Sequence, residues 1–235
     1  MEFEKCMKRI VKPEVLDTLP ANNPHAERSR RDIQRLNLLI GHDRIVCKAL
    51  AWVLAGRRLE HITDLGAGNG HFLLSIAQRW HQRSTVAASL IDLVDGFDRR
   101  AVVEFEALGW KVKLEIADAV QWLGKVANHK EVVLANHFLH QLSDAELAAL
   151  FAAVATSADG FISAEPRRRM FPLFCSHLVW FTGSGWVTCH DAPVSFRAGF
   201  RDRELSALWP DQKNWKLTEH RAGLFSHLFI AKRIK

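Results

Sequence analysis

Residues Ile62-Thr63-Asp64-Leu65-Gly66-Ala67-Gly68-Asn69-Gly70 carry a short apolar strand into three alternating glycines, after which an amphipathic stretch begins. In an open α/β sheet, a strand that ends in such a turn brings its carboxyl end and the start of the next helix around a ligand. Glycine suits the turn because the chain must reverse sharply and let its backbone approach the ligand, and a Cβ would hinder both. The spacing is G-x-G-x-G with no Lys-Ser/Thr after it, which excludes a phosphate-binding P-loop. It also departs from the G-x-G-x-x-G of a dinucleotide site.

Outward from this turn, β-type runs alternate with amphipathic helices, the pattern of a mostly parallel sheet covered on both faces. Strands are predicted at 60–65, 85–92, 111–116, 131–135 and 160–165. The helices between them are predicted at 69–82 (Phe72, Ile76 and Trp80 on one face), 97–108, 119–127 and 144–156, the last opened by a Ser143/Glu146 capping box. An apolar helix (Met170, Phe174, Leu178, Phe181), a glycine-containing loop and a helix near 198–208 follow. Strands 215–221 and 226–233 then form an antiparallel hairpin around Gly223. On the amino-terminal side, Asn23-Pro24 caps a helix that runs to Gly41, and a second helix covers 43–54, while residues 1–22 read as a poorly ordered or loosely docked arm. The expected fold is a doubly wound, Rossmann-like, seven-stranded α/β sheet with an antiparallel C-terminal strand pair. Residues 1–58 form an arm and helical lid, and residues 59–235 the ligand-binding domain.

Two acids follow the glycines at strand ends. Asp92 stands about 20 residues beyond Gly70, the spacing at which a carboxylate accepts the hydroxyls of a ribose. Asp95 is a nearby competitor that also reads as a helix cap. Asp118, in Ile116-Ala117-Asp118-Ala119, can accept an exocyclic amine while the next backbone N–H meets a ring nitrogen, and reads equally as an N-cap.

With DLGAGNG, the strand-two acid, IADA, LANHFLHQLSD and the terminal strand pair, residues 33–234 resemble the class I S-adenosylmethionine-dependent methyltransferases. The resemblance implies S-adenosyl-L-methionine as cofactor, with Asp64 on the methionine amino group and Gly66, Ala67, Gly68, Asn69 and Gly70 against the amino acid and ribose. It places Asp92, with Leu93 beside it, on the ribose hydroxyls and Asp118 and Ala119 on adenine. Asn136 falls beside the sulfonium, and Arg35 or Arg31 on the lid helix meets the methionine carboxylate.

Methyl transfer is an in-line displacement, so the protein supplies alignment and removal of the acceptor's proton, and no metal is needed. The segment after strand four lacks the N/D-P-P-Y/F motif of amino-N methyltransferases. L-H-x-x-S-D instead resembles O-methyltransferases of small molecules, which makes His140 the candidate base and His137 the fallback, with a structural histidine as the other reading. Gln141 stands where those enzymes often carry Asp, so a partner for His140 has to come from elsewhere. Glu165, Arg167, Arg168 and Arg169, the apolar helix, His190-Asp191 and Arg197 fall where the family builds its acceptor pocket. The aromatic helix reads as core and pocket wall. The arginines read as acceptor contacts or a solvated basic cluster, and His190-Asp191, taken as extended, would point to opposite faces. The wider pattern resembles small bacterial methyltransferases of polyketide-type aromatic metabolism.

Composition agrees with this reading. The 235 residues are 48% hydrophobic and 25% charged, ordinary for a globular protein. No apolar run is long enough to span a membrane, and the charged start does not resemble a signal peptide, so a cytoplasmic location is expected. Cys6, Cys47, Cys175 and Cys189 are too scattered for a disulfide framework or a zinc site. The net charge of +6 points to an anionic or carrier-bound small acceptor; the basic residues are too dispersed to favour nucleic acid. The expected function is O-methylation of a small aromatic acceptor. The alternatives are an RNA methyltransferase or a catalytically silent cofactor-binding protein.

Overall fold

The computed structural model describes residues 7–80, 82, 84–125 and 131–234. Cys6 and the end of the helix expected at 119–127 lie outside them. Seven strands, β1 (His61–Leu65), β2 (Val86–Asp92), β3 (Trp110–Ile116), β4 (Glu131–Asn136), β5 (Ala158–Pro166), β6 (Trp215–Ala222) and β7 (Ser226–Arg233), form one sheet in the order β3-β2-β1-β4-β5-β7-β6. Pairing is parallel from β3 through β5, and β7 runs antiparallel between β5 and β6. The expected hairpin is therefore present, with its second strand on the inside. Strand order reverses between β1 and β4, and a crevice opens at the carboxyl ends of the strands beside such a reversal.

The helices are α1 (Val15–Thr18), α2 (Pro24–Ile40), α3 (His42–Leu54), α4 (His71–Arg79), α5 (Arg99–Ala107), α6 (Ala119–Leu123), α7 (Asp144–Ser157), α8 (Met170–Ser176), α9 (Trp186–Ala198) and α10 (Glu204–Leu208). Local chemistry sets several ends. Asn23 accepts the His25 N–H ahead of α2, Gly41 ends α2 at a φ of 76°, and both halves of the Ser143/Glu146 capping box are formed. One apolar cluster, with Leu50, Val53, Leu73, Ile76, Phe105 and Leu134, fills one face of the sheet. The other face holds Phe151, Phe161, Trp209 and Phe229, whose ring centroids lie 5.0 to 6.0 Å apart.

The structure departs from expectation in two regions. Where a loop and a helix at 198–208 were expected, α9 occupies 186–198 and α10 begins only at Glu204. Pro193, ordinarily a helix breaker, lies inside α9 and is buried. The described part of the amino-terminal segment, from Met7 onward, is not loosely docked. Arg9 donates to the carbonyls of Leu139, His140, Leu142 and Ala198 and pairs with Asp144, and its guanidinium lies 4.5 Å from the Phe200 ring centroid.

Candidate active site

A cavity of about 550 Å³ lies over the carboxyl ends of β1, β2 and β4, closed from above by residues of α1, α2 and α9. Its floor is the glycine turn. Gly66 and Ala67 donate to the Ile91 carbonyl at 2.9 and 3.1 Å, and Gly68 donates to Asp92 Oδ2 at 2.8 Å, so the loop is tied to the end of β2. Gly66 has a φ of 68°, and a Cβ there would come within 2.5 Å of the Phe138 ring.

Asp64 lies under this turn, and burial together with the nearby Asp92 pushes its carboxyl up to about 8. A buried acid held this way is suited to a cationic ligand, whose charge would restore the ionised form. Asp92 also accepts from the Val94 N–H at 3.0 Å. Asp95 pairs instead with Arg99 at the surface, and Asp98 caps α5, which removes Asp95 as a competitor. Asp118 keeps both of its readings, since it accepts the Gln121 N–H as the N-cap of α6 and lines the cavity. Asn69, Leu93, Ala119 and Asn136 line it too. Arg35 does not. Its side chain is 70% exposed and pairs with Asp32, and Arg31 pairs with Glu27, because the spacing of α2 turns both away from the sheet. Arg30 is the arginine of this helix that lines the cavity, held there by donation to the Ala21 carbonyl at 2.9 Å.

The opposite end is built from side chains. His140 is buried between two carboxylates, with Nδ1 2.8 Å from Glu165 and Nε2 3.1 Å from Glu14. Burial alone would lower its pKa, but the hydrogen bonds and charges of Glu14 and Glu165 outweigh it and raise the ring to about 10. Glu165 also accepts the backbone N–H groups of Phe138 and Leu139 at 3.1 and 3.0 Å and the Ser163 hydroxyl. Glu14, also held by Ser195 and Gln141, stays below the usual carboxylate range despite its burial, chiefly through His140. Asp191 secures the segment that carries it by accepting the Val15 and Leu16 N–H groups, each at 2.9 Å. His190 and Asp191 lie on a helix rather than a strand, and their side chains meet at 2.8 Å.

His137 sits in the left-handed region with a φ of 53°, costly for a residue with a Cβ. Burial and the rings of His42 and His140 hold it well below its ordinary value, so it is neutral and faces the cavity. His42 stacks on it with ring centroids 4.9 Å apart, and bonds Asn136 Oδ1 through Nδ1 (2.9 Å) and the Ser226 hydroxyl through Nε2. Glu14, His42 and Ser226 escaped the sequence reading because they belong to none of its motifs. Glu165 was placed in the acceptor pocket, and its position at the end of β5 was the available sign that it could serve His140. Arg168 lies buried among the Met7 and Gly199 carbonyls and Glu204, and Arg169 pairs with Asp202, so neither joins the cavity.

No protein-family model and no curated protein matches the chain in sequence. Solved structures match its fold. An O-methyltransferase family protein from Burkholderia thailandensis superposes with a TM-score of 0.61 at 18% identity, covering 91% of this chain and 61% of that one. This chain thus spans less than two thirds of that protein's length. The plantazolicin methyltransferase BpumL in complex with SAH superposes at 0.64 with 10% identity over 91% and 92% of the two chains. Magnesium protoporphyrin IX methyltransferase from Synechocystis PCC 6803 with bound SAM superposes at 0.54 with 16% identity over 91% and 93%. The fold is that of the class I methyltransferases. Within this methyltransferase fold, the cavity lies at the carboxyl ends of the strands where the order reverses between β1 and β4.

Proposed function

We propose that the chain transfers a methyl group from S-adenosylmethionine to the hydroxyl of a small, neutral acceptor. The observation that carries this reading is the joining, in one cavity, of a buried acid suited to a cation, Asp64, with the clustered His140. Asp64, the glycine turn, Asp92 and Asp118 would hold the cofactor, which when bound supplies an electrophilic methyl on a sulfonium. The cavity lining carries Glu14, Asp17, Glu146 and Asp191 around His140, and Arg30 as its cation near Gly96. That balance favours a neutral acceptor over the anionic one suggested by net charge.

With both nitrogens on carboxylates, His140 is an imidazolium and cannot take a proton. Glu14 lies on the amino-terminal segment, and an acceptor hydroxyl entering the cavity would take its place at Nε2. Glu14 then withdraws as a carboxylate, and the ring, with Glu165 alone to hold its charge, gives its Nε2 proton to water, which leaves a neutral ring with a free lone pair there. Glu165, still on Nδ1, holds the tautomer. The ring takes the hydroxyl proton as the oxygen gains its methyl, becoming an imidazolium again, and the Glu14 carboxylate returns to Nε2.

The test measures S-adenosylhomocysteine formation against a panel of phenols and alcohols, alongside calorimetric binding of the cofactor. Turnover of a hydroxyl acceptor is expected, with Glu14→Gln moving the pH–rate profile down because one carboxylate no longer holds the ring charged. Tight cofactor binding with no turnover across the panel would favour a silent binding protein, and absence of cofactor binding would defeat the reading altogether.

A further inference from the structure

The apolar helix with Met170, Phe174, Leu178 and Phe181 was expected to form core and pocket wall, and these side chains lie outside both. Helix α8 is inverted: Pro172 and Ser176 are its buried residues, while Met170, Phe171 and Phe174 face outward. With Trp180, Phe181 and Trp186 they make a run of side chains each more than half exposed. The Trp180 and Phe181 rings stack with their centroids 3.8 Å apart. A water-facing helix ordinarily turns its apolar side inward, and a contiguous aromatic face of this kind marks an interaction surface.

We propose that this face seats the chain on an anionic lipid bilayer, lying in the headgroup region without spanning it. Among the described residues, no helix is long and apolar enough to cross. Three observations select this occupant. No acidic residue occurs between Glu165 and Asp191, while His177 is exposed and Arg28 donates to the Gly183 carbonyl at 3.0 Å at the edge of the face. The His25 ring sits edge-on to Trp186 at 5.7 Å. Tryptophan, phenylalanine and methionine on one side of a short helix and its following turn, with an arginine at the edge and no carboxylate within the stretch, are the composition of a segment that lies in a charged membrane interface. A second copy is disfavoured, because a two-fold contact would set the edge carrying Arg28 against itself in a chain of net charge +6. The face also communicates with the cavity. Phe171 stacks on Phe225 at 6.1 Å, and Phe225 meets Phe196, a cavity-lining residue, at 6.4 Å. These packed rings join the face to the cavity wall, and the docking itself stands independently of methyl transfer.

The experiment sediments the full chain with phosphatidylcholine vesicles, with and without phosphatidylglycerol, and follows quenching of tryptophan by brominated acyl chains. Partition onto the phosphatidylglycerol vesicles is expected, weakening as salt rises. The double variant Phe174→Asp/Phe181→Asp should lose about tenfold or more of it, as expected when two inserted rings are replaced by charges. Arg28→Glu should lower the dependence on phosphatidylglycerol, and Trp180→Phe should lose part of the quenching. Unchanged thermal unfolding and cofactor affinity in these surface variants separate docking from folding and from the site. Equal partition with and without phosphatidylglycerol, or no partition at all, would overturn the proposal. So would a dimer in sedimentation velocity that the double variant dissociates.

Discussion

At one end of the cavity, the backbone from Gly66 to Gly68 is tied to Ile91 and Asp92 by its own N–H groups. At the other, residues 137–142 are held by side chains from distant parts of the chain: Arg9 and Glu14 near the amino terminus, Glu165 at the end of β5, and Ser195 on α9 through Glu14. A backbone-built site tolerates loss of one side chain, since the peptide groups that shape it remain. A site built from buried charges does not, because removing one partner leaves the others desolvated and unpaired.

That contrast breaks first at Glu165. Glu165→Ala strands the His140 ring and the Phe138 and Leu139 N–H groups, and is expected to cost about 3–5 kcal/mol in urea unfolding. A loss below about 1 kcal/mol, the scale of an exposed pair, would mean the cluster contributes no more than a surface one. Next comes turnover. His140→Gln should lose roughly 10²- to 10⁴-fold in methyl transfer while retaining cofactor affinity. If turnover per folded molecule survives on an acceptor of high pKa, His140 is structural and His137, neutral and facing the cavity, becomes the base to test.

On the backbone-built side, effects should be milder. Asp92→Ala is expected to weaken S-adenosylhomocysteine binding by about 1–3 kcal/mol, the range for hydrogen bonds to a charged group, with the fold intact by circular dichroism. Unaltered affinity would remove Asp92 from the ribose. Cofactor binding should also release protons near neutrality. With Asp64 at about 8 in the free protein, it is largely protonated at pH 7, and pairing with an ammonium should expel that proton, read by calorimetry in buffers of different ionisation enthalpy.

The last expectation concerns pH and stability. His140 is raised from 6.5 unfolded to about 10 folded, so its contribution is complete below pH 6.5 and is lost as pH rises through 10. Melting temperature should fall across that window, and His140→Gln should flatten the fall. A wild-type profile that is level from pH 6.5 to 10 would show that the ring does not carry the charge assigned to it.

The glycine turn, the acids at the ends of β2 and β3, the capping box and the positions of the strands up to β5 were legible in the sequence. Each depends on residues a few positions apart and on one repeating backbone geometry. His140 was legible as a candidate for the same reason, through its place after β4. Its charge state was not, because Glu14 and Glu165 lie 126 and 25 residues away and act only once folding buries all three together. The lid arginine failed similarly. Helical spacing places Arg30, Arg31 and Arg35 on one amphipathic segment, but only the packing of α2 over the cavity turns Arg30 inward and Arg35 to solvent. The apolar run at 170–181 was visible as apolar, and hydrophobicity alone predicted burial. Whether such a face meets the core or the outside is decided by which surfaces the rest of the chain has already covered, a property of the whole fold rather than of any local stretch.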